Sequence, residues 1–398
     1  MEALSFFLCH NTYASQYHTA NGPMMKRPML LNFLCVVTED WISVRAAITM
    51  RENPLAHKFA KSNLNSEETD PRMPIQALRL LRSYEFKMKL VGLDSKQEVV
   101  FTKVYDSDVL GDFKFKIPLT EQTRKIEAFQ VYEVGRREGL ELQLGTTLPL
   151  KIPNPRKIII CDFDKTLVDT RYSTTKELYN SLTKPLQHFP TLKNSLEVLH
   201  QYIDNGFNPF ILSASPHFYE EAMRDWLYQH RVYTAGIFLK DYRKVLSFLD
   251  GDLTPKDLKV QGLYKLNHLL DILGMTGVPD ELVLMGDNFE SDPVIYLTLS
   301  MILLGDQEPW QLWRALKAND AFQLSKRQDA NFLDKLYQLS NQLERRQNQD
   351  KAKTKIKIYI RKQSDMDSLN VPDFCSPRID LIEMYDGKPI KEPAIAHA

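Results

Sequence analysis

The segment KIIICDFDKTLVDT, residues 157–170, constrains the fold of this 398-residue chain more than any other stretch. Its first five residues form a continuous apolar run, which is typical of a parallel strand buried on both faces. Side chains two residues apart on a strand point the same way, so Asp162 and Asp164 leave the end of this strand together. Ligands bind at that carboxyl end in open α/β sheets. The segment therefore predicts a strand that delivers two carboxylates to a binding site.

The sequence around this strand predicts an α/β fold with a parallel sheet, because apolar strands and amphipathic helices alternate after residue 155. The predicted later strands are FNPFILSAS, GIFLK, ELVLMG and IKIYI, and the predicted helices are LKNSLEVLHQYIDNG, HFYEEAMRDWLYQH and GLYKLNHLLDILG. We expect this domain to cover residues 155–362, with a polar, largely helical insertion at about 307–353 and a tail over 363–398.

The residues before the α/β domain show a different pattern of apolar positions. Residues 29–154 contain short alternating runs such as YEFKMKLVG and FKFKIPL, separated by polar turns. This spacing predicts a smaller, sandwich-like β domain. The prolines of PNPR mark its end, since proline interrupts strand pairing. Residues 1–28 have no periodicity and are interpreted as a leader.

Composition narrows the classes of partner. The chain has 51 basic and 51 acidic residues, so it lacks the net positive charge that favours nucleic acid. The four cysteines show no metal-binding spacing and suit a reducing compartment. The longest apolar run, MLLNFLCVV, is far shorter than the ~20 residues of a membrane span. We predict a cytoplasmic protein without a transmembrane segment, and peripheral contact with a membrane surface stays open.

A second acidic pair indicates a metal. Asp287 and Asp292 follow the apolar strand ELVLM, while Asp162 and Asp164 repel each other at the neighbouring sheet end. A divalent cation relieves this repulsion, and Mg²⁺ prefers such oxygen ligands. Ser213 ends another strand and Lys265 lies on a helix. This set suits nucleophilic attack on a phosphoryl group, with an acyl-phosphate on Asp162 that water resolves.

The order of these motifs resembles the haloacid dehalogenase (HAD) phosphatase superfamily: D-x-D-x-T after an apolar strand, then Ser, Lys and G-D-x4-D. The resemblance implies an Mg²⁺-dependent phosphatase with a Rossmann-like sheet flanked by helices. It implies the following roles: Asp162 as nucleophile, Asp164 as general acid/base and backbone-carbonyl metal ligand, Thr166 as support of the loop, Ser213 and Lys265 as phosphoryl ligands, and Asp287 with Asp292 completing the metal site alongside Asp162.

A narrower resemblance, carried by ILSASPHFY, GIFLKDYR, GDNFESDPVIY and IKIYIRK behind a β-rich domain, is to the actin-patch type phosphatidate phosphatases and their bacterial relatives. It implies phosphatidate or a related lipid phosphate as substrate. The chain departs from that family at Lys165, His217 and Asn288-Phe289, where the family usually has Asp, an aromatic residue and Ser-Gly. The gaps at 167–212 and 214–264 hold mainly core elements and leave no room for a full cap domain, which predicts an open site for a bulky phosphomonoester.

Several alternatives stay open at this stage. Asp292 also suits a helix start before Pro293, and Glu290 is a rival metal ligand. His217 is a candidate substrate contact or a surface helix start. Phosphoprotein, nucleic-acid ends and a non-catalytic scaffold are rival functions. The apolar stripe Phe332, Leu336, Leu339 and Leu343 fits a core-facing helix or one lying on an anionic membrane.

Overall fold

The computed structural model describes residues 26–52, 84–135, 138–170, 186–216, 219–240, 262–288, 291–318, 326–349, 352–362, 369 and 371–385. Within these residues no helix combines the length and the apolar character needed to cross a bilayer.

The N-terminal part is rich in strands, as the alternating runs predict. Its strands are β1 Lys26–Val37, β2 Trp41–Glu52, β3 Lys87–Leu93, β4 Val99–Asp106, β5 Asp112–Pro118, β6 Ala128–Glu133, β7 Leu142–Thr147 and β8 Leu150–Lys151. They form two four-stranded sheets, in the orders β5-β2-β1-β8 and β4-β3-β6-β7. Alternate side chains of both sheets, among them Val44, Ile48, Leu90 and Phe129, meet in one apolar core. Two half-apolar sheets thus bury their apolar faces against each other.

The second part alternates strands and helices. Its elements are β9 Lys157–Asp162, α1 Lys193–Asp204, β10 Asn208–Pro216, α2 Glu220–Gln229, β11 Gly236–Lys240, α3 Gly262–Thr276, β12 Glu281–Asp287, α4 Asp292–Leu304, α5 Pro309–Lys317, α6 Lys326–Gln347, β13 Lys355–Arg361 and β14 Ile382–Tyr385. The strands form one six-stranded parallel sheet in the order β11-β10-β9-β12-β13-β14. Helices α1 and α2 pack on one face, and α3 to α6 pack on the other. The predicted parallel α/β architecture is confirmed.

The sheet is one strand larger than the sequence predicts. Residues after 362 were expected to form a tail, but Ile382–Tyr385 pairs in parallel with Ile358–Arg361 and closes one edge of the sheet. The four residues IEMY are too few to show a strand periodicity, which explains why sequence patterning missed them. The structure therefore corrects the description of this segment as a tail.

A second correction concerns the end of α3. The pattern GLYKLNHLLDILG predicts a helix that ends at Gly274, but the helix continues to Thr276. Gly277, with φ +77°, is the residue that leaves the helical conformation. Glycine adopts this left-handed backbone at little cost, so the helix ends there.

The expected helical insertion consists of α5 and α6. The stripe on α6 faces inward, since Phe332 and Leu336 are fully buried and Leu339 is almost fully buried in the core shared with α3 and α4. The core-facing interpretation of this stripe therefore agrees with the structure.

Candidate active site

The central strand β9 brings the first carboxylate to the sheet edge. It lies between β10 and β12, and its residues Ile158 and Ile160 are fully buried on the face covered by α3 and α4. Asp162 continues that alternation and is only 1% exposed. The strand thus delivers a buried carboxylate to the carboxyl end of the sheet, where the sequence predicts the site.

A tight turn follows β9. The amides of Leu167 and Val168 both donate to the carbonyl of Phe163, at 2.9 and 3.2 Å. The turn brings Thr166 back over the strand end, where its hydroxyl donates to Asp162 Oδ2 at 3.3 Å. Thr166 is fully buried, so this contact is shielded from water. Thr166 is thereby joined to Asp162 at the strand end, and its role in supporting the loop stays a prediction.

Three carboxylates form a compact group. Asp162, Asp287 and Asp292 each offer one oxygen, and these oxygens lie within 4.8 Å of one another. Asp287 ends β12 and Asp292 begins α4, and all three residues are buried. Hard divalent cations such as Mg²⁺ and Ca²⁺ prefer such oxygen ligands. The group can therefore hold a metal ion.

Lys265 supplies positive charge to this group. Its ammonium lies 2.9 Å from Asp162 Oδ1 and 2.6 Å from Asp292 Oδ1. The side chain is fully buried on α3. Buried carboxylates this close to one another repel, which is costly away from water. A bound divalent cation would relieve that repulsion.

Asp164 faces a different environment. Ser213 and Ser215 donate to its Oδ2 at 2.7 and 2.9 Å, and Thr170 donates to its Oδ1 at 3.1 Å. The structure thus separates the two aspartates of the motif: one contacts Lys265 and the other is held by hydroxyl groups. The Asp164 carboxylate is not part of the three-carboxylate group, and the binding of its backbone carbonyl to the metal stays a prediction.

Ser213 connects the end of β10 to the turn that follows β9. Besides its bond to Asp164, its Oγ accepts from the amide of Ser215 at 2.9 Å. The hydroxyl of Tyr264 on α3 donates to the Ser213 carbonyl. The end of β10 is therefore fixed by partners from β9 and α3.

Two groups next to the carboxylates, the Cys161 thiol and the Tyr296 phenol, have raised pKa values and are neutral. Burial, with the charges of Asp162 and Asp292 adding to it, raises the pKa of the Cys161 thiol well above its ordinary value. Burial and the same two carboxylates also raise the pKa of the Tyr296 phenol. Cys161 lies on the opposite face of β9 from Ile158 and Ile160 and is a buried thiol rather than a reactive thiolate.

The structure brings together all the predicted site residues that it describes, and it adds others. Ser215 and Thr170 were not predicted, although the spacing of Ser213 and Ser215 on one strand was a usable signal. No pattern pointed to Thr170. His217 and Glu290 lie outside the described residues.

The comparisons with known proteins bear on this site. Residues 157–302 match the family model of the catalytic domain of phosphatidate phosphatase APP1. The match supports a phosphatase. It spans β9 to α4 and so includes all of the predicted site residues: Asp162, Asp164, Thr166, Ser213, Lys265, Asp287 and Asp292. No curated protein matches the chain.

Solved structures give only weak similarity. A calcium-binding mutant of Bacteroides uniformis β-glucuronidase 2 is 11% identical, covering 84% of this chain and 33% of that chain, with a TM-score of 0.22. Parabacteroides merdae β-glucuronidase is 10% identical, covering 86% and 34%, with a TM-score of 0.24. The chain spans about a third of the length of these proteins. Such TM-scores support no conclusion about fold or function.

Proposed function

We propose that this protein is an Mg²⁺-dependent phosphomonoester hydrolase. It has a sandwich-like N-terminal domain and an HAD-type catalytic domain, and the boundary between the two domains lies near residue 155. The reaction proceeds through an aspartyl-phosphate on Asp162. The observation that carries the proposal is the group of three buried carboxylates with Lys265 among them, at the carboxyl end of a parallel sheet.

The residues fit a hard divalent cation, since Asp162, Asp287 and Asp292 offer oxygen ligands that lie within 4.8 Å of one another. These three side chains and the Asp164 carbonyl would hold it. A bound Mg²⁺ offsets the repulsion between a carboxylate nucleophile and a phosphate dianion.

Asp162 and Asp164 carry out the two halves of the proposed reaction. Asp162 attacks phosphorus, and the bond to the leaving oxygen breaks as Asp164, in its protonated form, donates a proton to the departing alcohol. In the second half, Asp164 as carboxylate takes a proton from water, which attacks phosphorus and releases inorganic phosphate and the Asp162 carboxylate. Lys265 and Ser213 are the candidate ligands of the phosphoryl oxygens.

The proposed substrate is phosphatidate or a related lipid phosphate at a membrane surface. Support comes from the family match over residues 157–302 and from the short stretches of sequence between the motifs, whose lengths predict no full cap. Phosphoprotein and nucleic-acid ends are the alternative substrates for an open site, and a non-catalytic scaffold is the alternative function.

The test is phosphate release from an aryl phosphate and from phosphatidate vesicles, each with Mg²⁺ and with EDTA. We expect wild-type protein to act on both substrates with Mg²⁺ only. Asp162→Asn should abolish release, because an amide cannot act as the nucleophile. Asp225→Asn is the matched control, since Asp225 is exposed on α2 and is not a member of the three-carboxylate group.

Each result separates the alternatives. Release from the aryl phosphate alone would contradict the lipid substrate and direct the search to phosphoproteins and nucleic-acid ends. Full activity of Asp162→Asn, or activity in EDTA, would contradict the mechanism. No release from any substrate by folded, Mg²⁺-binding protein would favour the scaffold.

A further inference from the structure

The turn after β9, between Asp164 and Val168, contains one residue in an unfavourable backbone conformation. Lys165 has φ +62° and is 8% exposed. Residues with a Cβ rarely adopt this left-handed conformation, whereas glycine does so freely. The turn must therefore be held in place by its surroundings.

Two hydrogen bonds hold the backbone of Lys165. Its amide donates to the carbonyl of Val168 at 2.7 Å, within the turn itself. Its carbonyl accepts from Nη1 of Arg361 at 2.7 Å, from two strands away in the sheet. A guanidinium is planar, rigid and permanently charged, so it fixes the direction of the carbonyl it contacts.

Arg361 also contacts the second acidic loop. It ends β13 opposite Asp287 in the parallel register, and its carbonyl accepts from the amide of Asn288 at 3.2 Å. Its Nη1 lies 3.9 Å from Asp169 Oδ1. One residue thus touches the segments that follow β9 and β12, the two strands that end in Asp162 and Asp287.

We propose that Arg361 is a positioning residue for the phosphoryl transfer proposed above. It holds the carbonyl of Lys165, and with it the turn that follows Asp162 and begins at Asp164, in register with the loop after Asp287. The inference rests on the proposed function for its effect on catalysis, but its structural part stands on the two hydrogen bonds of Arg361. Arg361 acts through the turn and not through contact with the substrate.

The test is a double-mutant cycle between positions 361 and 165. Arg361→Met removes the donor, and we expect it to lower kcat about tenfold with KM changed less than about twofold, as for the loss of a charge-assisted hydrogen bond. Lys165→Gly lets the turn adopt φ +62° without support. In that background Arg361→Met should lower kcat by no more than about threefold. Arg361→Lys keeps a cation without the planar guanidinium, and it should lower kcat by between about threefold and about tenfold.

Lys357→Met is the matched control, because Lys357 is an exposed cation on the same strand. It should leave kcat and KM unchanged. A rise in KM with unchanged kcat for Arg361→Met would overturn the proposal and favour a substrate contact. An equal loss of kcat in both backgrounds would overturn it as well.

Hydrogen exchange separates this proposal from the function itself. Without substrate, Arg361→Met should speed amide exchange in the peptide covering residues 163–170, and Lys165→Gly should reduce that difference. If the wild type releases no phosphate, the proposed function fails while this exchange result still decides whether Arg361 holds the turn. Unchanged exchange in a folded Arg361→Met protein would overturn the proposal regardless of activity.

Discussion

Asp292 approaches the end of β12 closely because position 286 has no side chain. A Cβ built on Gly286 would lie 2.5 Å from Asp292 Oδ2 and 2.7 Å from Cε2 of Tyr296. Both neighbours are fully buried, so neither can move aside into solvent. The glycine is therefore needed for space rather than for backbone conformation.

We predict that Gly286→Ala displaces Asp292 from Asp162 and Asp287. Mg²⁺ affinity measured by calorimetry should fall at least about tenfold, and protein stability should fall by about 1–3 kcal/mol because of overpacking.

Gly274→Ala is the control for this substitution, since no atom of the described residues outside the backbone of α3 and the two chain neighbours lies within 4 Å of a Cβ at position 274. It should leave Mg²⁺ binding unchanged and stabilise the protein by up to about 1 kcal/mol. Unchanged Mg²⁺ affinity in Gly286→Ala would show that Asp292 is not a ligand.

At the scale of residues, the sequence predicts those site residues whose positions follow from the geometry of parallel strands. Asp162, Asp287 and Ser213 follow apolar strands, and neighbouring parallel strands must bring their carboxyl ends together. Thr170 and Arg361 could not be predicted in this way. Their contacts with the motif depend on the path of a turn and on a register between distant strands, and neither is encoded in local spacing.

At the scale of elements, α6 shows how an apolar stripe is used. Leu336 is fully buried against the core formed with α3, whereas the adjacent Tyr337 is 45% exposed. Lys335 on the same helix donates to Asn267 Oδ1 at 3.1 Å and lies 3.0 Å from Asp271 on α3. The helix is therefore attached to the α/β core by both apolar and polar contacts.

We predict that Leu336→Ala lowers the free energy of unfolding by about 2–5 kcal/mol, as for other cavities left in a core. Urea denaturation measures this change. Tyr337→Ala, its exposed neighbour, should change stability by less than about 0.5 kcal/mol. Reduced binding to anionic vesicles with unchanged stability in Leu336→Ala would instead support a membrane-facing helix.

Elements with a clear apolar pattern are the ones that the sequence predicts well. The 12-residue α1 has periodic apolar positions, and the six-residue β9 has a continuous apolar run. The short edge strand β14 carries only four residues, and its pairing depends on the exposed edge of β13 rather than on its own pattern.

At the scale of the whole molecule, Asp271 joins three parts of the chain. Its carboxylate lies 2.5 Å from Lys114 of β5 and 3.0 Å from Lys335 of α6. Burial raises the pKa of Asp271, but the charges of Lys335 and Lys114 outweigh this effect and hold the pKa below its usual value. The ion cluster links the N-terminal strands to α3, the helix that carries Lys265.

We predict that this cluster makes stability depend on pH in the acidic range. A carboxyl whose pKa is lowered by folding stabilises the protein above its unfolded pKa of 3.8, and that stabilisation is lost as pH falls toward the folded value. Asp271→Asn should therefore cost about 1–3 kcal/mol at pH 7, and the difference from wild type should shrink steadily below about pH 4.

Glu141→Gln provides the comparison, because Glu141 forms an exposed pair with Lys89. Its cost should be at most about 1 kcal/mol. If the difference in the free energy of unfolding between wild type and Asp271→Asn stayed constant from pH 7 to pH 2, this would contradict the role given to Lys114 and Lys335.

The central claim is that Asp162 becomes phosphorylated during turnover. The most direct test is to quench the protein during turnover of an aryl phosphate with Mg²⁺, reduce it with borohydride, and map the peptide over residues 157–170 by mass spectrometry. Borohydride reduces an aspartyl-phosphate to homoserine, so the account predicts homoserine at position 162, absent without substrate. Homoserine at position 164, or none while phosphate is being released, would contradict it.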